Sequence, residues 1–329
     1  MSSEQLDFLS IGDIAVDAFI RIKDAAVYCD IDKDNCKLCM SFADKVPYES
    51  VEIIYGTGNS VNVAVAASRL GLKAGVVSDI GDDMNGRKCL DSMDDEHVDT
   101  RYVSIQKRMR TNYHYVLWYE TDRTILVKHE EYEYKLPEID PPKWLYLTSL
   151  PSHAEKYHEE IVSYLKAHPE IKLVFQPGTF QIKLGREKLS HIYENAEILI
   201  VNSGEAEKIV GEHAEIKILL GKLAALGPKI VIITNAAEGS YMRENGQNWF
   251  MRSYPDTNVL ERTGAGDAFS ATFVSALILG KNPSEALKWA PANSLSVIQS
   301  VGPQKGLLTQ KKIEEMISKA PADYEPKKI

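Results

Sequence analysis

Glu261-Arg-Thr-Gly-Ala-Gly-Asp-Ala-Phe-Ser270, running on into Ala271-Thr-Phe-Val-Ser-Ala-Leu-Ile-Leu-Gly280, is the stretch on which the reading of the chain turns. Its first half is a small-residue turn and its second half a buried helix. Gly264 and Gly266 carry no side chain to block a ligand, so the backbone N–H groups at the helix entrance can face an anion, helped by the helix dipole. Asp267 stands where that anion would be held. A carboxylate repels phosphate, so two readings of Asp267 stay open from local physics. It is a first-turn acid that complements the dipole, or a general base that takes a proton from a hydroxyl attacking a phosphate held on the adjacent amides.

Outward from this stretch, 329 residues with 44% hydrophobic and 26% charged content give a globular chain with room for one large α/β domain and a smaller appendage. A formal charge of −9 argues against broad binding to nucleic acid or anionic membranes, which calls for a basic face. Any phosphate site must be local. No apolar run reaches the roughly 18–20 residues of a membrane span, and Met1-Ser-Ser-Glu-Gln5 lacks the regions of a signal peptide, so a cytoplasmic location is expected. The four cysteines are read as reduced thiols. Cys29, Cys36 and Cys39 share one segment, where half-buried free thiols are favoured over a zinc site because no histidine is near them in sequence.

Strand-like runs at 6–11, 74–81, 144–148, 171–175, 198–201 and 229–234 alternate with helical segments at about 59–70, 153–167, 205–225 and 265–279. That alternation predicts a parallel sheet covered by helices on both faces. Two excursions interrupt it. One covers about 18–55, with a polar loop at 30–35 and a short strand at Ser50–Tyr55. The other starts near Arg101, where 110–119 and 124–129 read as strands joined by Glu120-Thr-Asp-Arg123, a hairpin pattern. In its first strand Tyr113, Tyr115, Leu117 and Tyr119 share one face, and Asn112, His114, Val116 and Trp118 the other. Both faces are partly apolar, which suits one side over a ligand and the other against a second subunit. The expected division is a core of 1–17, 56–100 and 135–329, with a β-sheet lid of 18–55 and 101–134.

Candidate site residues cluster at strand exits, where open α/β sheets bind ligands. Asp13 and Asp17 follow the first strand. Gly56-Thr-Gly58-Asn59-Ser-Val-Asn62 turns into an Ala/Val helix, and Val61 in place of a third glycine argues against a dinucleotide fingerprint. Arg110, at the head of the hairpin, is a further substrate-side candidate. Gln176, Asn202, Glu205, Thr234 and Gly239 follow later strands. Asn202-Ser-Gly-Glu205 reads both as a capping box and as an element that assists a nucleotide's Mg²⁺ through water. Asn293, polar among small apolar residues, is either a self-satisfied buried amide or part of an adenine pocket.

Thr57-Gly58-x-x-x-Asn62, Gly81-Asp-Asp-x-x-Gly86, Asn202-x-x-Glu205 and Thr263-Gly-Ala-Gly-Asp267-Ala-Phe269 occur in this order across nearly the whole chain. In this the sequence resembles the PfkB (ribokinase-like) family of carbohydrate and nucleoside kinases. The resemblance implies a three-layer αβα core with a mainly parallel central sheet and a small β-sheet lid that closes over a substrate's hydroxymethyl group. It implies ATP and Mg²⁺, with Glu205 meeting the metal through water. Asp267 matches the catalytic base, and the amides of Gly264, Ala265 and Gly266 match the anion hole. Asp17, Gly58 and Asn62 match positions for substrate hydroxyls, with Asp13, Asn59 and Arg110 beside them. Asn202 and Glu205 match the Mg²⁺ and phosphate element, while Thr234, Gly239 and Asn293 lie where the family holds ATP, with Gln176 on the same sheet edge. Asn59 stands where ribokinases often carry Lys. Glu261 replaces an Asp that contributes, in members that use one, to a monovalent-cation site, so dependence on such a cation is left open.

The expected activity is transfer of the ATP γ-phosphoryl to a primary hydroxyl of a sugar. A nucleoside acceptor is the alternative within the class, for which the hairpin aromatics offer faces to stack on a base. A non-catalytic sugar or nucleotide sensor is the alternative outside it. Partners are small molecules, with a homodimer through the lid.

Overall fold

The computed structural model describes residues 4–30, 36–255 and 258–329, so the loop expected at 30–35 falls, from residue 31 on, outside the described residues. The strands are β1 (Phe8–Ile11), β2 (Ala15–Ile22), β3 (Ala26–Tyr28), β4 (Lys37–Cys39), β5 (Tyr48–Thr57), β6 (Ala74–Gly81), β7 (Asp99–Gln106), β8 (Asn112–Tyr119), β9 (Asp122–Leu126), β10 (Trp144–Leu147), β11 (Lys172–Phe175), β12 (Ala196–Asn202), β13 (Ile230–Asn235), β14 (Gly239–Glu244), β15 (Gln247–Met251) and β16 (Lys327–Lys328). The α-helices are α1 (Asn59–Arg69), α2 (Met84–Asp95), α3 (Glu155–Ala167), α4 (Thr179–Leu184), α5 (Ser190–Asn195), α6 (Ser203–Val210), α7 (Ile216–Ala224), α8 (Ala265–Ile278), α9 (Pro283–Ile298) and α10 (Gln310–Lys319).

Ten strands form the central sheet in the order β16-β15-β14-β13-β12-β11-β10-β1-β6-β7. The run from β13 to β7 is parallel, and β14, β15 and β16 add an antiparallel edge. β1, β6 and β10 are buried at every position, as strands covered on both faces must be. Successive residues feed two separate cores. Phe8, Val76 and Tyr146 pack with α1, α8 and α9 on one face, and Leu9, Val77 and Leu145 pack with α3, α6 and α7 on the other. The chain therefore folds as the expected three-layer αβα core with a small second sheet.

That second sheet has the order β5-β2-β8-β9. β8 and β9 form the expected hairpin, with Glu120 at positive φ in its turn and the Trp118 indole donating to the Glu120 carbonyl at 2.8 Å. Two expected boundaries shift. β7 pairs in parallel with β6, so residues 101–106 belong to the core sheet rather than to the lid. β2 already pairs with β5 and β8 from Ala15, so Asp17 rides on the lid sheet rather than on the core. The helix expected over 205–225 is two helices, because Gly211 takes a left-handed conformation that ends α6.

The cysteine segment differs from expectation. β3 and β4 pair antiparallel with Tyr28 opposite Lys37, so the next residues outward, Cys29 and Cys36, face each other. They form a disulfide. They are exposed rather than half-buried free thiols. Cys39 is free and exposed, while Cys89 is free and buried. Among the described residues no helix is long and apolar enough to cross a membrane.

Candidate active site

β1 pairs with β6 on one side and β10 on the other, so chain connections diverge at the carboxyl ends of β1 and β10. Open α/β sheets form their ligand crevice at such a point. A cleft of about 1520 Å³ opens there, and the exits of β12 and β13, the lid and the start of α8 also line it.

At its centre, Gly264 caps α8 at φ 81, and an added Cβ would lie 2.4 Å from Pro303. Gly264 has room only for hydrogen, and its positive φ suits glycine. Among the described residues no side chain caps α8, and although the Ala265 amide donates to the Arg262 carbonyl at 3.5 Å, the other first-turn N–H groups are left for a ligand in the cleft. Gly266 has only the Gln176 amide within 4.0 Å of where a Cβ would stand, which leaves its backbone open to close approach.

Asp267, in that first turn, is 5% exposed. Asn59 Nδ2 donates to its Oδ1 and Asn62 Nδ2 to its Oδ2, both at 2.8 Å. Asn62 cannot turn its amide around without loss, because its Oδ1 accepts from Gln304 Nε2 at 3.0 Å. Burial raises the Asp267 carboxyl to about 6, against the lowering effect of Asn62, Asn59 and Arg123. α1 reaches this position because Gly58, at φ 104, lets the chain pass over the Asp13 carbonyl, where a Cβ would be 2.3 Å away.

On the lid side, Asp17 and His114 are register partners of β2 and β8, with His114 Nδ1 3.3 Å from Asp17 Oδ1. Asp13 Oδ1 accepts from the Tyr134 hydroxyl at 2.7 Å, and His129 Nδ1 lies 3.1 Å from Asp13 Oδ2 without hydrogen-bond alignment. His114 Nε2 is likewise buried with no hydrogen-bond partner among the described residues. Unpaired buried polar atoms of this kind are costly unless a ligand or water meets them. Arg123, inside β9, lies with its Nε 3.8 Å from Glu261 Oε1. Glu261 is fully buried, and its Oε1 accepts from the Thr263 amide at 2.7 Å and the Thr263 hydroxyl at 2.6 Å.

The other half of the cleft is lined by Asn202, Glu205, Thr234, Gly239 and Ser294 among others. Asn202 and Glu205 form the expected capping box, with Asn202 Oδ1 accepting from the Glu205 amide and Glu205 Oε2 from the Asn202 amide, each at 2.9 Å. Burial raises the Glu205 carboxyl, and the charge of Asp267 adds to this. Two carboxylates therefore bear on one volume. That donor set fits a hydrated Mg²⁺, which takes few direct protein ligands. Among the described residues no three His, Cys, Asp or Glu side chains group to enclose a metal.

A sequence profile described as pfkB family carbohydrate kinase matches residues 24–310. The chain belongs to that family. It is 28% identical over 290 residues to a ribokinase of Bacillus subtilis, covering 84% of this chain and 94% of the relative. Among solved structures it superposes on a Methanocaldococcus jannaschii nucleoside kinase with a TM-score of 0.77 at 18% identity, covering 96% of this chain and 100% of the other. It also superposes on a putative Escherichia coli ribokinase II in complex with ATP and Mg²⁺, with a TM-score of 0.76 at 19% identity and coverage of 95% and 99%. As a pfkB-family carbohydrate kinase, the protein is a phosphotransferase with an alcohol acceptor.

Within this kinase, Asp13, Asp17, Gly58, Asn59, Asn62, Gln176, Asn202, Glu205, Thr234, Gly239, Gly264, Ala265, Gly266 and Asp267 all line the one cleft. Two expected residues do not. Arg110 is exposed and outside the cleft, and its backbone carbonyl accepts from the Tyr132 hydroxyl instead. Asn293 is fully buried in α9, donating to Thr272 Oγ1 at 2.7 Å and accepting from the Leu308 amide at 2.8 Å, so its amide is spent inside the fold. Its neighbour Ser294 lines the cleft in its place. The hairpin aromatics also miss it: none of Tyr113, Tyr115, Trp118 and Tyr119 is a lining residue, and Tyr115 is exposed. Sequence reading missed His114, Arg123 and His129. The first of these lies on the Asn112 face of the hairpin, and the parallel pairing that sets it beside Asp17 was the signal needed to find it.

Proposed function

We propose that the protein is an ATP-dependent kinase that transfers the γ-phosphoryl group to a primary hydroxyl of a sugar, with Asp267 as general base. The observation that carries this reading is the position of Asp267. It is buried in the first turn of an uncapped helix, held on both oxygens by Asn59 and Asn62, and set between the two halves of the cleft.

The substrate half sets several hydroxyl partners beside the apolar Ile125, Val127 and Phe180. Asp13, Asp17, Asn59, His114, His129 and Ser149 suit a polyol, and this favours a sugar over a nucleoside. Asn59 and Asn62 fix the rotamer of Asp267, so its free lone pairs face the acceptor hydroxyl and take its proton as the new O–P bond forms. The amides of Gly264, Ala265 and Gly266 donate to the phosphoryl oxygens as their charge redistributes. Asn202, Thr234, Gly239 and Gln176 bind the nucleotide end, and Glu205 orients the waters of a bound metal. Mg²⁺, when bound, neutralises phosphate charge. The four-stranded sheet acts as a lid whose closure excludes water and limits hydrolysis of ATP.

The test is ADP release from ATP and Mg²⁺ across a panel of sugars, sugar acids and nucleosides. Release that depends on one sugar, with a phosphorylated sugar as product, is the expected result. Release only with nucleosides refutes the sugar assignment, and binding without release across the panel refutes the kinase assignment in favour of a sensor.

A further inference from the structure

Glu261 is a carboxyl side chain with no exposure to solvent. Two neutral donors from Thr263 satisfy Oε1, and Oε2 is buried with no hydrogen-bond partner among the described residues. Neutral hydrogen bonds do not balance a buried charge, which needs a cation close by. Its ion-pair partner is Arg123, with Nε 3.8 Å from Oε1.

The two residues belong to different bodies. Glu261 is anchored to the core, with its amide and that of Leu260 on the Ile298 carbonyl at the end of α9. Arg123 is carried by β9, opposite Trp118, and is 30% exposed at the side chain. Glu261 in turn fixes Thr263, the residue before the Gly264-Ala-Gly266 amides. A single chain of contacts thus runs from the lid through Glu261 to the turn that must hold the transferring phosphoryl.

A monovalent cation at Glu261 does not fit this arrangement. It would have to share one buried carboxylate with a guanidinium already beside it, and like charges in a low-dielectric setting repel strongly. We propose that Arg123 is a positioning residue, the lid-borne counter-ion of Glu261, which sets the amide turn for phosphoryl transfer in the place of a monovalent cation. The inference rests on the kinase reading for its catalytic consequence. Because Arg123 is carried by the lid sheet, its pairing with Glu261 ties the amide turn to the position of the lid, which couples phosphoryl transfer to closure over the substrate half.

Pairing is tested without turnover, by thermal unfolding of wild type, Arg123→Gln, Glu261→Gln and the double variant in potassium chloride and in tetramethylammonium chloride of equal ionic strength. Arg123→Gln should lower Tm by roughly 3–6 °C, the double variant should recover most of that loss, and potassium should raise Tm selectively in Arg123→Gln alone. Additive losses in the double variant, or a potassium response of wild type equal to that of Arg123→Gln, overturn the proposal. Both outcomes are read whether or not an acceptor is known, so they separate this inference from the kinase reading. With an acceptor in hand, Arg123→Gln should lose up to about 100-fold in kcat with little change in KM for ATP, and Arg123→Lys should restore part of it. A rise in KM for ATP with kcat unchanged contradicts the positioning role.

Discussion

Burial of Asp267 makes the pH dependence of this kinase unlike that of one using an ordinary carboxylate. With its carboxyl at about 6, Asp267 is about nine-tenths ionised at pH 7 and about one-tenth ionised at pH 5. A base acts only when ionised, so kcat/KM, which reports the free enzyme, should fall about tenfold between those two values. At the usual 3.8, the same group would still be about nine-tenths ionised at pH 5 and the rate would hardly move. Stability carries the opposite sign. A carboxyl raised on folding contributes stability that is fully present below 3.8 and lost as pH rises through 6, on the order of 3 kcal/mol from this group. Initial rates at limiting acceptor from pH 5 to 8, with unfolding midpoints over the same range, give both curves. Asp79, also raised to about 6 by burial, is the control. It bonds to Gln106 outside the cleft lining, so Asp79→Asn should keep the acid limb of the rate profile. A rate profile flat down to pH 5, or a limb that disappears in Asp79→Asn, refutes the reasoning.

Two further substitutions separate support from chemistry. Asn293→Ala removes a buried amide that joins α8 to the Leu308 amide, and should cost roughly 1–3 kcal/mol in denaturant unfolding while leaving ATP affinity by calorimetry unchanged. Weakened ATP binding in a stably folded variant contradicts the reassignment of Asn293 from the nucleotide pocket to the fold. Gly58→Ala puts a Cβ against the Asp13 carbonyl at a positive φ, at a cost on the order of 1–3 kcal/mol in stability. It should also raise KM for the acceptor, because α1 carries Asn59 and Asn62 into the cleft; unchanged kinetics would count against the close passage at Gly58.

Most of the core was legible because buried parallel strands write themselves as apolar runs. 144–147, 172–175 and 230–234 could be read directly, and small-residue turns such as Gly264-Ala-Gly266 announce a close backbone approach. What local pattern could not show depended on pairing between distant strands. Register alone moves Asp17 from core to lid, takes 101–106 from lid to core, and sets Cys29 against Cys36. The same limit applied to the site. Asp267 was ambiguous until Asn59 and Asn62 were found on its two oxygens, contacts that span more than two hundred positions of sequence. Asn293 and Arg110 failed for the complementary reason, since a polar side chain at a plausible position gives no sign of whether its hydrogen bonds are already made within the fold or whether it faces solvent. His114, Arg123 and His129 became visible only when the hairpin was laid over the cleft.

The most direct test of the central claim compares wild type with Asp267→Asn in acceptor-dependent turnover of ATP, with nucleotide binding measured on the same samples. The account predicts that the variant folds and binds ATP as wild type does and that kcat falls about 10²- to 10⁴-fold, the scale of a positioned general base. Turnover within a few-fold of wild type would contradict it.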